Sequence, residues 1–202
     1  MQKNQLYVLT DDQYTPENKI FFQVKEILDC GIKLIQFRSK NKDYQENTIK
    51  SLISLCEDYD AKLLINDDVD LAKKLNAHGV HIGKDDKDIT GAKKTLGNNK
   101  IIGVSCYGDM RLALNAQKNG ANYVAFGAIF PTDTKKDATI CDISSIDFSK
   151  LTIPTCIIGG INSQNLKDVL KYNADYIAIV SATYKPKSIT ENLTNLINII
   201  KG

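Results

Sequence analysis

Arginine is nearly absent from this chain: of 26 basic residues only Arg38 and Arg111 are arginines, so lysine is the ordinary surface cation and an arginine marks a chosen position. Against 24 acidic residues the formal net charge is +2, and no basic block or arm occurs, which argues against a nucleic-acid-binding surface. No apolar run approaches membrane-spanning length, and the opening MQKNQLYVLTDD passes into a strand-like pattern without the apolar stretch of a signal peptide, so a cytoplasmic protein with no membrane partner is the expectation. Five cysteines, Cys30, Cys56, Cys106, Cys141 and Cys156, form no CxxC pair. An odd count without such pairs disfavours both a disulfide framework and a zinc ribbon, and the five read as reduced, mostly packed thiols. The two histidines, His78 and His81, straddle the start of a strand pattern, where their side chains diverge rather than meet on a metal. His81 reads as a structural residue satisfied by one partner.

What is present is a rhythm. The 202 residues, 43% hydrophobic and 25% charged, suit one compact domain spanning 1–202. Short β-type runs at 6–9, 33–37, 62–65, 79–82, 101–104, 123–126, 155–158 and 176–180 alternate with amphipathic stretches. In the first stretch Ile20, Val24, Ile27 and Leu28 share a helical face; in the second, Ile49, Leu52, Ile53 and Leu55 do. Further helices are predicted over 69–75, 89–96 (weak), 110–118, 163–172 and 189–200. Eight such units make an α/β protein, a (β/α)8 TIM barrel with brief loops; an open doubly wound sheet is the alternative and would use fewer strands. The segment 127–141 is long, polar and interrupted by Pro131, and is expected to form a mobile lid.

In a parallel barrel every strand ends on the same side, so polar residues following successive strands converge. In Gln36-Phe37-Arg38-Ser39-Lys40, alternation puts Gln36, Arg38 and Lys40 on one side and Phe37 on the other. A guanidinium fork and an ammonium together suit a pyrophosphate, although a solvated basic strand end gives the same pattern. Asn66-Asp67 and Asp85-Asp86 place carboxylates after neighbouring strands. Asp67 and Asp86 could share one Mg²⁺, which takes one or two carboxylates plus water and phosphate oxygens, or each could cap the following helix. Gly159-Gly160 and Val180-Ser181 stand where barrels bind phosphate through backbone amides, or where a tight turn needs glycine. Thr132, Thr134 and Lys135 could close over an anion from the sixth loop.

Along nearly the whole chain, in order, YVLTDD, QFRSK, LLINDDVDLA, HGVHIGKDD, IIGVSC, FGAIFPTDTK, IGGI and IAIVSA resemble the motifs of the thiamine phosphate synthase family. The resemblance implies a transferase of thiamine biosynthesis that joins a pyrimidine-methyl pyrophosphate to a thiazole phosphate and releases pyrophosphate. It implies that Gln36, Arg38, Lys40, Asn66 and Ser105 bind the pyrimidine pyrophosphate and that Lys135 reaches its leaving group. Arg38, Lys40, Lys135 and Ser105 would then be the catalytic groups. Asp67 and Asp86 would hold Mg²⁺, and Thr132, Thr134, Gly160, Val180 and Ser181 would bind the thiazole phosphate. The implied partners are these small molecules; the sequence sets no oligomeric state, and a homo-oligomer is compatible with it. A related thiazole tautomerase shares the barrel but carries a histidine where this chain has Ala128, and a catalytically silent phosphate-binding barrel is a third reading. Asp68, Tyr107 and Asn173 depart from the family's usual Arg, His and Gly, and the usual glycine beyond Lys135 is missing. Asp68 would either add charge at the metal or turn away from it.

Overall fold

A computed structural model describes residues 3–41, 44–83, 89–132, 134 and 139–202. Eight parallel strands close into a barrel in sequence order: β1 (Gln5–Leu9), β2 (Leu34–Phe37), β3 (Lys62–Asn66), β4 (Gly79–Ile82), β5 (Ile101–Tyr107), β6 (Tyr123–Phe126), β7 (Thr155–Ile158) and β8 (Tyr176–Ile179). Closure comes from β8 pairing with β1, in the register Tyr7 with Ala178 and Val8 with Ile179. Around it lie α1 (Glu17–Asp29), α2 (Glu46–Asp58), α3 (Val69–Lys74), α4 (Ile89–Leu96), α5 (Met110–Lys118), α6 (Leu166–Leu170), α7 (Ser181–Tyr184) and α8 (Ile189–Lys201). Thus the predicted (β/α)8 barrel is present, and no described helix is long and apolar enough to cross a membrane.

The strand period of two sorts side chains between two cores. Outward-facing Val8, Ile35, Leu63, Ile65 and Val80 pack against the helices with Ile20, Val24, Leu52 and Ile53. Inward-facing Tyr7, Leu9, Leu34, Leu64, Tyr123, Ala125, Cys156 and Ala178 fill the barrel. Three tyrosine rings plug its lower part: Tyr7 and Tyr123 meet edge to face with centroids 6.0 Å apart, and Tyr176 stands 6.0 Å from Tyr123 and 6.4 Å from Tyr7. Such pairs contribute about 0.5–1.5 kcal/mol each beyond the area they bury. Gly103 makes the room, because a Cβ there would lie 2.1 Å from the ζ-carbon of Tyr123.

Several boundaries differ from the sequence expectation, each for a local reason. Strand β5 runs on to Tyr107, three residues past the predicted 101–104, through a bulge between Ser105 and Tyr107 against β6. The predicted helix 163–172 contracts to Leu166–Leu170. Before it, the side chains of Asn162 and Asn165 accept the amides of Gln164 and Asn162 and donate to the Gly160 carbonyl, so a side-chain turn replaces helical bonding. Between β6 and β7 the described residues form 3₁₀ turns at Ile143–Ser145 and Phe148–Lys150. There Asp142 and Asp147 accept the amides of Ser144 and Ser149 in the same competing manner. Helix α7 follows directly from β8, with Val180 as its N-cap, and the sequence pattern did not foresee it.

Asp68, not Asp67, caps the following helix: its Oδ1 accepts the Leu71 amide at 2.8 Å. Asp68 therefore turns one carboxylate oxygen to the helix. Asp68→Ala should lower the unfolding free energy by about 1 kcal/mol in a urea titration with an unchanged slope, and an unaltered midpoint would deny the cap any weight.

Candidate active site

The open mouth of the barrel holds one cavity of ≈ 920 Å³, within the range of small-molecule sites. From β2 come Gln36, Arg38 and Lys40, all three in its wall. Gln36 is 2% exposed, while Phe37 faces the outer core and packs edge to face on Tyr44, so the alternation expected of this strand end holds. Arg38 is gripped at three points. Buried Thr10 accepts its amide at 2.8 Å and donates to its carbonyl at 3.2 Å, and Arg38 Nη1 lies 2.7 Å from Asp11 Oδ2. The paired side chains are 13% and 14% exposed, so this ion pair is shielded from solvent and orients the guanidinium. Asp12 accepts the amides of Lys40 at 2.8 Å and Asn41 at 3.1 Å, fixing the chain just beyond the strand. Sequence reasoning named the basic groups but not Thr10, Asp11 and Asp12, which hold them. The signal was the run TDD, which follows β1 and so lies beside the end of β2.

Asn66 and Asp67 end β3 on the same cavity. Asp67 adopts φ 63°, a left-handed conformation that aspartate tolerates, and its Oδ2 accepts from Asn66 Nδ2 at 2.6 Å. Asp86, the second predicted metal ligand, lies outside the described residues, as does Lys135. Thr132 and Thr134 reach the cavity from the sixth loop, and Lys40 Nζ donates to the Thr134 carbonyl at 3.4 Å, joining that loop to the cationic strand end. The loop's stem is tied down: the amides of Ile129 and Phe130 donate to the carbonyls of Ile158 and Gly159, both at 3.1 Å. The remainder of the expected lid lies mostly outside the described residues.

Gly160, Val180 and Ser181 complete the far wall. Gly160 has φ 64°, and a Cβ there would stand 2.4 Å from the Pro131 carbonyl oxygen, so only glycine lets the seventh loop lie against the sixth. The predicted site residues that are described therefore share one cavity.

Ser105 also lines the cavity, and behind it lies a line of contacts that the sequence did not reveal. His81 Nε2 is 2.9 Å from Ser105 Oγ, and His81 Nδ1 is 2.7 Å from the Tyr123 hydroxyl. The Tyr123 and Tyr7 hydroxyls are 3.0 Å apart, and Gln36 Nε2 donates to the Tyr7 hydroxyl at 2.7 Å. His81 is satisfied, as expected, though by two partners rather than one, and it stands in the cavity wall. His78 diverges from it, its Nδ1 accepting the Leu63 amide at 3.1 Å.

The cysteines are free thiols, and all but half-buried Cys30 are buried. Cys156 reaches the cavity wall, yet burial pushes its thiol well above the ordinary range, and burial takes Cys106, next to Ser105, up to about 12. Neither supplies a thiolate near neutrality. The arrangement offers cations, hydroxyls, amides and the carboxylates of Asp67, Asp68 and Asp70, the equipment for holding anions and aligning two substrates.

The family model described as thiamine monophosphate synthase matches residues 6–183. The chain belongs to the thiamine monophosphate synthase family. It is 35% identical over 201 residues to the thiamine-phosphate synthase of Persephonella marina, spanning 98% of this chain and 96% of that one. To the thiamine-phosphate synthase of Picrophilus torridus it is 40% identical over 188 residues, covering 91% and 90%. The solved thiamine phosphate pyrophosphorylase of Pyrococcus furiosus superposes with a TM-score of 0.81 at 34% identity, covering 99% of this chain and 96% of that one. Among family members, then, this one carries the cationic strand end and the glycine pair on a single cavity.

Proposed function

We propose that the protein is a thiamine phosphate synthase: it condenses 4-amino-2-methyl-5-hydroxymethylpyrimidine pyrophosphate with a thiazole phosphate, or its carboxylated form, to give thiamine phosphate and pyrophosphate. One observation carries the reading: Arg38 and Lys40 at the end of β2, Asp67 at the end of β3, and the Gly160 and Ser181 wall face one cavity.

The chemistry is substitution at the pyrimidine methylene. The carbon–oxygen bond to the pyrophosphate breaks with its electron pair leaving on oxygen, the electron-rich ring carries the resulting positive charge, and the thiazole nitrogen then attacks. No protein nucleophile is needed, in keeping with the protonated thiols. Arg38 and Lys40 stabilise the charge that gathers on the departing pyrophosphate, and Arg38 does so in a geometry already set by Asp11 and Thr10. Lys135 is assigned the same task from the sixth loop. Gln36, Asn66 and Ser105 orient the pyrimidine, while Thr132, Thr134, Gly160, Val180 and Ser181 hold the thiazole phosphate, so that the two substrates meet in line.

The donor set suits a hard cation: Asp67 contributes a carboxylate in a wall that also holds Asp68, Asp70 and several hydroxyl groups. Asp67 and Asp86 would hold Mg²⁺, which when bound neutralises charge on the pyrophosphate oxygens. Nothing in this scheme calls for a nucleic acid or a membrane, and a cytoplasmic setting fits it. The tautomerase reading lacks its histidine, because that position is held by Ala128, apolar and 8% exposed.

Purified protein mixed with both substrates and Mg²⁺ should form thiamine phosphate, seen by fluorescence after oxidation. Binding of both substrates without that product would establish a silent phosphate-binding barrel instead.

A further inference from the structure

We propose that Gln36, Tyr7, Tyr123, His81 and Ser105 form one proton-ordered relay whose two ends are set together, making Tyr123 and His81 positioning residues that select an aminopyrimidine over its oxo analogue. This rests on the pyrimidine site described above, since Gln36 and Ser105 are the ends that meet the ring.

The relay crosses the barrel through four successive contacts of 2.7, 3.0, 2.7 and 2.9 Å, from Gln36 to Tyr7, Tyr123, His81 and Ser105. Gln36, Tyr7 and Tyr123 are 1–2% exposed and His81 8%. Burial raises both phenols above their ordinary range, so each keeps its one proton. For an imidazole that carries one proton, only two orders leave no contact with two protons or none.

In the first order Gln36 Nε2 donates to Tyr7, Tyr7 to Tyr123, Tyr123 to His81 Nδ1, and His81 Nε2–H to Ser105 Oγ. The Ser105 proton is then available to the cavity, and Gln36 faces it with its carbonyl oxygen. A donor at one end of the relay and an acceptor at the other complement a ring nitrogen and the exocyclic amine of one aminopyrimidine. In the second order the Gln36 amide is turned over, Nδ1 of His81 carries the proton, and every bond reverses. Ser105 then spends its proton on His81, and Gln36 offers its amide N–H groups. That pattern complements a ring N–H and a carbonyl, the groups of the oxo analogue. Because the phenols link the two ends, neither can change alone without leaving a buried polar group unpaired. The site thus has a device for telling amine from carbonyl at a point that Tyr123, outside the cavity wall, does not touch. Gly103 is part of its construction, since any side chain there would displace the Tyr123 ring.

Tyr123→Phe removes one hydroxyl from below the cavity and keeps the ring. It should lower kcat/KM for the aminopyrimidine pyrophosphate about tenfold to a hundredfold and erode the preference over the 4-oxo analogue by a similar factor, with the melting temperature within a few degrees of wild type. Tyr123→Phe combined with Ser105→Ala should be little worse than Ser105→Ala alone; losses that multiply in full would show two independent sites and overturn the relay. A second reading needs no variant and no turnover. With the aminopyrimidine pyrophosphate bound and no acceptor present, ¹⁵N shifts should place the His81 proton on Nε2, with His78, whose Nδ1 accepts the Leu63 amide, as internal reference. A proton on Nδ1 of His81 would overturn the proposal. Failure of the wild-type protein to form thiamine phosphate would instead strike the functional reading, whereas the ¹⁵N measurement needs the pyrimidine to bind but no turnover.

Discussion

Replacing Arg38 with alanine is expected to lower kcat by about a hundredfold to a thousandfold, the range for removing one preorganised donor from a developing anion. The reason is geometric as much as electrostatic. A free arginine would spend conformational entropy to reach a pyrophosphate, whereas Arg38 is already held by Thr10 through its backbone and by Asp11 at 2.7 Å through its guanidinium. Arg38→Lys keeps the charge but not the fork, and should recover only part of the loss. Asp11→Asn leaves the guanidinium charged and loosens its aim, so a decrease of roughly tenfold is expected, felt in kcat more than in KM. Stability should change modestly in all three, because the pair sits at the strand ends, outside the hydrophobic core; circular dichroism melts check this. Wild-type turnover in Arg38→Ala would remove Arg38 from the mechanism.

Asp67→Asn together with chelation of Mg²⁺ forms the second large effect. Asparagine is nearly isosteric and tolerates the φ of 63° observed at this position, so the substitution removes the charge while leaving the backbone undisturbed. Turnover should fall by about two orders of magnitude at ordinary Mg²⁺, since in the proposed role Asp67 would be a carboxylate ligand of the cation that offsets charge on the leaving group. Raising Mg²⁺ should restore part of the rate, with a half-saturating concentration well above that of wild type. Chelator should abolish wild-type product formation. Undiminished activity in chelator, or an unchanged Mg²⁺ dependence in Asp67→Asn, would remove this carboxylate, which accepts from Asn66 at 2.6 Å, from the metal's ligands.

Much of the cavity was legible from short-range pattern. Gln36, Arg38 and Lys40 could be read from alternation alone, because a strand of period two tells which residues share a face wherever the strand lies. Gly160 could be read from its place after the seventh strand, and the structure adds why glycine is needed, the carbonyl of Pro131 at 2.4 Å from any Cβ. The choice between Asp67 and Asp68 as helix cap could not be read. It turns on which of two adjacent carboxylates points back to the Leu71 amide, and that is decided by the left-handed turn at Asp67. Nor could the contraction of α6, where Asn162 and Asn165 compete with the backbone for its own hydrogen bonds.

The tyrosines mark the deepest limit. Tyr7 and Tyr123 look like ordinary strand residues, and nothing within either strand says that their hydroxyls meet at 3.0 Å or that one of them touches His81. The amino-acid sequence by itself determined the alternation of strands and helices, the side chains available at each strand end, and so the family and its barrel. Tertiary structure alone decided that Asp11 would grip Arg38, that His81 would join the cavity wall, and that five residues from five strands would form one line. Local periodicity reports which side of an element is buried, while partnership across a barrel depends on the register that closure of β8 onto β1 imposes on every strand between them.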